Sequence, residues 1–335
     1  MMKKLISILL TLALIFAFAG CGAADTDSTP STQSTPSVPE KLDVKCNVYG
    51  ISGPTGVGLA SLMEKAEKGE GNLDYNISLA ANNDEIIAKI SNKEADIAAV
   101  ATNLASSLYN KTNGEVVVLA VNTLGVLNVV AKNVEIKTIA DLRGKTVYLT
   151  GQGANPEYIV KDILAQNNIT DVDLQFVAQP TELVTTIVKN EQAVVIAPQP
   201  VATAITVKDT AAKIVLNIND EWDKFHNEQL TMGCIIARKE FVEANPDAVK
   251  IFLKEYKESI EKTNSDIEAT ASLCEKYAIV SPAAVAKKAI PLCNIVYQDG
   301  ATMKTNLSAY LNFLFTQNPK SVGGKLPADD FYYAQ

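Results

Sequence analysis

The residues best suited to chemistry in this chain are small and neutral, and they gather at a few points. Gly53-Pro54-Thr55-Gly56, Thr102-Asn103, Gly151-Gln152-Gly153-Ala154 and Gln199 combine glycines with hydroxyl and amide groups. Glycine lets a backbone approach a bound molecule closely, and the side chains both donate and accept hydrogen bonds. That is the chemistry of recognition. Bond making would need a nucleophile beside a base, and no such pair is legible, so no catalytic residue is assigned. The single histidine, His226, follows Asp223, Lys224 and Phe225 in a stretch that reads as surface. Cys46, Cys234, Cys274 and Cys293 are not at the short spacings of metal sites, so neither a metal nor a cofactor is expected. Cys274 and Cys293 can be read as a disulfide in an exported protein, or all four as free buried thiols.

Both glycine segments begin like nucleotide-binding motifs and fail to complete them. Gly56-Val57-Gly58 and Gly151-Gln152-Gly153 lack the third glycine of a dinucleotide fingerprint, and the segment from Gly53 to Leu59 lacks the Lys-Ser/Thr of a phosphate loop. Charge excludes other partners: 30 Lys+Arg against 38 Asp+Glu gives −8, which leaves no cationic surface for nucleic acid. Only Arg143 and Arg238 are arginines, the first just before a strand and the second just after one. An amino-acid ligand would call for an arginine clamp on its carboxylate, so that class is disfavoured. Trp222, the only tryptophan, has two readings: a planar face closing over a ligand, or packing on the protein surface. Tyr49 is a weaker candidate of the same kind.

The elements that must position these residues follow from periodicity. Residues 1–20 read as a signal peptide: Lys3 and Lys4, an apolar run Leu5 to Ala19 too short to span a bilayer, and Phe18-Ala19-Gly20-Cys21 at its end. Residues 21–40 are rich in Ser, Thr and Pro and form a tether that cannot bury a core. From Val44 onward short apolar strands alternate with amphipathic helices, the pattern of a doubly wound, mostly parallel α/β sheet. The apolar run from Val116 to Ala131 is too long for one ordinary strand and is read as a strand that passes through a hinge into a second lobe; Thr231 to Ala237 returns. Two crossings define two lobes, 41–122 plus 233–335 and 123–232, with a cleft between them. In the second lobe Asn155 is expected to cap a helix that starts at Pro156. In open α/β sheets ligands lie beyond the carboxyl ends of the strands, where both glycine loops fall. Each loop leads into a helix N-terminus, and two such termini facing each other could hold an anionic or strongly polar ligand without arginine.

Several segments then resemble one family. Gly53-Pro54-Thr55-Gly56, Val100-Ala101-Thr102-Asn103-Leu104, Asp141-Leu142-Arg143-Gly144-Lys145, Thr150 to Tyr158 and Val322-Gly323-Gly324-Lys325-Leu326-Pro327 are similar to the SsuA/Thi5-like (NMT1-like) group. Its members are solute-binding lipoproteins of ATP-driven (ABC) importers with the type II periplasmic-binding-protein fold. The resemblance implies a monomeric, non-enzymatic protein outside the cytoplasm. It would be anchored to the cell membrane by palmitate-type lipid on Cys21 and would deliver a small ligand to a permease and its ATPase. Beside the resemblance, position at strand ends and helix N-termini makes Thr55, Gly56, Thr102, Asn103, Gln152, Gly153, Ala154 and Gln199 the expected ligand contacts, with Trp222 added on the reading that its face closes over the ligand. The ligand class it implies is sulfonate, nitrate or a thiamine precursor. Pro198-Gln199-Pro200 departs from the group's Pro-Glu-Pro, which removes a carboxylate partner for a ligand amine. Two alternatives stay open: a Thi5-like enzyme, and a surface receptor or adhesin.

Overall fold

The structure is a computed structural model that describes residues 41–80 and 82–334. The leader, the tether and Cys21 lie outside the described residues. In chain order the first part comprises β1 (Lys45–Ile51), α1 (Pro54–Val57), α2 (Ala60–Glu67), β2 (Asp74–Ala80), α3 (Asn83–Ser91), β3 (Ile97–Ala101), α4 (Thr102–Lys111) and β4 (Val116–Thr123). The middle comprises β5 (Leu127–Lys132), β6 (Thr146–Leu149), α5 (Asn155–Gln166), β7 (Asp173–Phe176), α6 (Pro180–Lys189), β8 (Ala193–Pro198), α7 (Val201–Lys208), β9 (Ala212–Asn217) and α8 (Ile218–Trp222). The last part comprises β10 (Gly233–Arg238), α9 (Lys239–Ala244), α10 (Pro246–Ser265), α11 (Ile267–Lys276), α12 (Ala283–Ala289), β11 (Ile295–Gln298) and α13 (Gly300–Gln317).

Two sheets result, in the orders β11-β4-β10-β3-β1-β2 and β7-β6-β8-β5-β9. The long apolar run divides as expected, β4 closing in the first sheet and β5 opening in the second. The sheets are mixed, however, rather than mostly parallel. β10 runs antiparallel between β3 and β4, and β5 runs antiparallel between β8 and β9. The reason is geometric. A strand arriving from the other sheet enters at the edge where its neighbours end, so it must run against them. Gly233 therefore pairs with both Ala101 and Thr123, the last or only residues of their strands at that edge.

Alternation along each strand sends side chains to two different cores. In β3, Ile97 and Ala99 join one apolar cluster with α2 and α10, whereas Ala98 and Val100 join another with α4 and α13. The second cluster does not stop at the crossings: it continues through Leu127 and Val129 to Leu149 and Ile159 in the second sheet. A third cluster seals the other face of that sheet under α6 and α7. In α10 the stripe Val249, Phe252, Tyr256 and Ile260 is buried as its helical spacing predicts. The four body cysteines are free and buried, so the disulfide reading falls. Burial pushes the Cys274 and Cys293 thiols up to about 12.

The first crossing, 124–126, is short, and backbone groups of both crossings find partners. Leu124 N–H donates to Asn294 O (3.0 Å), Gly125 N–H to Asn219 Oδ1 (3.2 Å), and Met232 N–H to Thr123 O (2.9 Å). Beside them Asn122 Nδ2 donates to Thr55 O (3.1 Å) and to Tyr256 Oη (2.9 Å). Gly233 fits because it has no side chain: a Cβ there would stand 2.4 Å from Thr55 Cγ2 and 2.6 Å from Asn122 Oδ1. Gly233→Ala is expected to lower stability by about 1–3 kcal/mol through this overpacking. Urea unfolding of the variant beside the wild type measures it, and an unchanged midpoint would show that the crossing has room to relax.

Candidate functional site

Strand direction decides where a site can form. β1, β2, β3 and β4 all end at the edge where β10 and β11 begin; β6, β7, β8 and β9 all end at the edge where β5 begins. Both crossings leave from these edges, which carry the expected candidates. At these strand ends, residues 52–56, 102–104, 122–126, 150–155, 198–203, 217–219 and 230–233 contain no Lys, Arg, His, Asp or Glu.

On the first sheet, Thr55 is half-buried in α1, and Gly56 is buried with a Cβ position only 2.4 Å from Ile51 O. Gly56 is thus required by the turn itself. Its N–H donates to Gly53 O, and Gly53 N–H donates to Ile279 O, so two of the amides expected to face a ligand are already used. Thr102 is fully buried: its hydroxyl donates to Thr231 O (2.7 Å) and its N–H to Met232 O (3.2 Å). It clamps the second crossing to β3 rather than presenting a free hydroxyl. Asn103, next to it, is half-buried.

On the second sheet, Gln152 and Gly153 are exposed and Ala154 is half-buried. Ala154, not Asn155, is the cap of α5; Asn155 is the first helical residue, with Pro156 behind it. The α5 terminus differs from the expectation in a second way. Glu157 turns back so that its Oε2 accepts from Gly153 N–H (2.5 Å), while its Oε1 pairs with Lys161 (2.5 Å). Burial raises this carboxyl, but the Gly153 amide and Lys161 outweigh it and hold the group below the usual glutamate range. A carboxylate of the protein therefore sits where an anionic ligand was expected. Tyr158 Oη donates to Gly153 O (2.7 Å) and accepts from Asn318 Nδ2 (3.0 Å), tying the loop to the segment after α13.

Trp222 does not offer a stacking face. It is 3% exposed, with the His226 ring stacked on it at 3.6 Å, Phe313 of α13 edge-on at 4.8 Å, and its N–H donating to Glu228 O. His226 in turn is half-buried and paired with Asp162 at 2.7 Å, not the free surface residue its neighbours suggested. Tyr49 is half-buried in the shared core with Lys89 over its ring. Both arginines lie at the sheet edges opposite the crossings: Arg143 binds Asn168 O, and Arg238, the last residue of β10, binds Ala95 O and Asp96.

The atoms most informative about binding are buried polar groups without partners, since such groups are costly to leave unpaired. Among the described residues these include Gln199 Nε2, Asn155 Oδ1 and Thr231 Oγ1, all at the edges that the crossings leave. Gln199 is 2% exposed; Thr203 Oγ1 donates to its Oε1 (2.8 Å), which leaves Nε2 as the free half of the amide. Asn155 hydrogen-bonds the buried Tyr310 hydroxyl, which reaches Met232 Sδ at 3.3 Å, beside Thr231. Sequence pattern gave no sign of Asn155 or Thr231 as candidates. The Asn-Pro-Glu order at 155–157 is the one signal that could have disclosed Glu157, since an acid in the first turn of a helix tends to cap it.

This geometry is the periplasmic-binding-protein fold, as the solved structures bear out. An ABC transporter protein from Parabacteroides distasonis superposes with a TM-score of 0.76 at 20% identity, covering 88% of this chain and 100% of that one. The periplasmic aliphatic sulphonate binding protein SsuA from Escherichia coli gives 0.67 at 16% identity over 84% of this chain and 96% of that one. The alkanesulfonate-binding protein SsuA from Xanthomonas axonopodis pv. citri, bound to MOPS, gives 0.60 at 12% identity over 85% and 95%. Residues 70–267 match the family described as NMT1/THI5 like, and the chain belongs to that family. No curated protein is matched by the sequence.

The Glu157 contacts predict a pH dependence. Its carboxyl titrates below its ordinary value of 4.5 in the folded chain, so its stabilisation is complete above about pH 4.5 and is lost as pH falls through the folded value. Glu157→Gln should cost about 1 kcal/mol at pH 7, and the gap from wild type should close toward pH 3. Urea midpoints taken across that range measure it; a gap independent of pH would mean that the charge plays no part.

Proposed function

We propose that the chain is the substrate-binding component of an ABC importer, capturing a small polar ligand between two lobes and delivering it to a membrane permease driven by its ATPase. The lobes are 41–122 with 233–335, and 123–232. The observation that carries this reading is the set of partnerless buried atoms, Gln199 Nε2, Asn155 Oδ1 and Thr231 Oγ1, at the edges joined by the two crossings. Membership of the NMT1/THI5-like family and the likeness to an ABC transporter protein and to sulphonate-binding proteins support it. The ligand contacts are Thr55, Asn103, Gln152, Gly153, Ala154 and above all Gln199; Gly56 and Thr102 shape the edge, and Trp222 packs behind it.

The role is binding rather than catalysis. His226 is held by Asp162 and stacked on Trp222, and all four body thiols are buried with their titration pushed up. Thiols so buried cannot serve as poised nucleophiles, and the contacts of His226 are an aspartate and aromatic rings rather than a nucleophile. The protein works as a monomer outside the cytoplasm, and among the described residues no helix is long and apolar enough to cross a membrane. Attachment is by lipid on Cys21.

Two measurements test this. X-ray scattering of the full chain in mild detergent should show a smaller radius of gyration with a tight ligand than without one; superimposable profiles would remove closure as the mechanism. Gln199→Leu should weaken that ligand by about 10–100-fold, the effect of deleting one buried hydrogen-bonding group. Separately, Cys21→Ser should move the protein from the membrane fraction to the soluble fraction of the cells that make it.

A further inference from the structure

One face of α13 runs along the second crossing. Asn306, Tyr310 and Phe313 follow one another at helical spacing, and each meets a different point of the segment that leads back from lobe two. Asn306 Nδ2 donates to Gln229 Oε1 (3.3 Å), the Tyr310 hydroxyl donates to Met232 Sδ (3.3 Å), and Phe313 stands edge-on to Trp222 at 4.8 Å. The middle contact does more than its neighbours, because the Tyr310 hydroxyl also meets the start of α5. Asn155, the first residue of α5, hydrogen-bonds it, and since Asn155 Oδ1 has no partner the donor is Nδ2. On the far side, the Met232 carbonyl accepts from the N–H of Thr102, the first residue of α4 (3.2 Å). The first residues of α4 and α5, one in each lobe, are thus connected through just two residues, Met232 and Tyr310.

These two termini carry amides that a helix cannot use itself. Asn103 and Leu104 in the first turn of α4, and Asn155 and Glu157 in the first turn of α5, have no acceptor within their own helices. A polar group held from both lobes meets such donors only at the right separation, and an error of about 1 Å is enough to forfeit a hydrogen bond. Tyr310 is 1% exposed, so its hydroxyl holds that separation from inside the core, where water does not compete for its partners.

We propose that Tyr310 is a positioning residue for ligand capture: its hydroxyl, accepting from Asn155 and donating to Met232, sets the distance between the N-termini of α4 and α5. This rests on the binding reading above and adds to it the residue that keeps the two lobes in register. Tyr310 acts through Asn155 and Met232 and is not itself a ligand contact. Its ring belongs to the core shared by both sheets, so Tyr310→Phe removes the two polar contacts and keeps the packing.

Trp222, the only tryptophan, reports the outcome without any ligand: it is 3% exposed and packs on Phe313, which stacks on Tyr310 at 6.3 Å. The test is acrylamide quenching of Trp222 fluorescence in the full chain in mild detergent. Tyr310→Phe should raise the quenching constant about twofold over the wild type, through a shift toward parted lobes. Met232→Leu, which removes the sulfur acceptor and keeps the volume, should move it in the same direction, and Phe313→Ala, which uncovers Trp222 directly, sets the top of the scale. A residue that only packs would lower the urea midpoint and leave quenching of the folded protein alone. A second arm titrates methanesulfonate and nitrate: a probe that binds the wild type should bind Tyr310→Phe about 3–10-fold more weakly. Unchanged quenching in both variants, or unchanged probe affinity in folded Tyr310→Phe, overturns the positioning role while the binding reading stands. If neither probe binds the wild type, quenching decides alone; if Tyr310→Phe does not fold, Met232→Leu decides by the same readout.

Discussion

Two covalent passages between two sheets constrain nearly everything else in this molecule. A chain that leaves one sheet at its carboxyl edge must enter the other at the matching edge, and it must do so twice. That requirement makes β5 and β10 antiparallel to their neighbours and brings Thr102, Thr123, Thr231 and Gly233 together. It also leaves irregular backbone at 124–126 and, after α8, at 223–232, whose polar groups need partners. Asn294, Asn219, Thr102 and Thr123 supply them through side chains or carbonyls that no regular ladder would provide. Polar residues near the crossings thus have two possible occupations, holding the hinge or holding a ligand, and hydrogen-bond partners tell them apart.

Much of the architecture was legible because it rests on local periodicity. The strand and helix order, the division of the run at 116–131, and the return near residue 231 follow from burial patterns of period 2 and 3.6. Strand direction was not legible, because a run such as Gly233 to Ala237 reads the same either way until its neighbours are known. The site was legible in outline only. The loops at 53–56 and 150–154 stand where glycines and strand ends suggested, but Trp222 and Thr102 are consumed by long-range contacts. His226 stacks across Trp222, which meets Phe313 some ninety positions later in the chain. No window of sequence contains that information.

The Glu157 contact shows how one local choice changes the electrostatics of a helix terminus. A helix N-terminus is an anion site by default, and the fold delivers one to the ligand edge of each sheet. Here the helix supplies its own anion within the first turn and draws Lys161 to its outer oxygen. At the neighbouring strand, Gln199 is neutral and can both donate and accept hydrogen bonds. Fold resemblance alone therefore does not name a ligand; the charges and hydrogen-bond partners of the individual edge residues have to be read as well.

The third tie between the sheets is α13. Its residues Met303, Leu307 and Leu314 belong to the core shared by both sheets, Phe313 meets Trp222, and Asn318 just beyond its end bonds Tyr158 of α5. These contacts add to the two covalent crossings in joining the sheets. The polar and aromatic contacts at stake are few, each worth on the order of 1 kcal/mol. The helix that looks like a terminal brace is therefore part of the core that both sheets share.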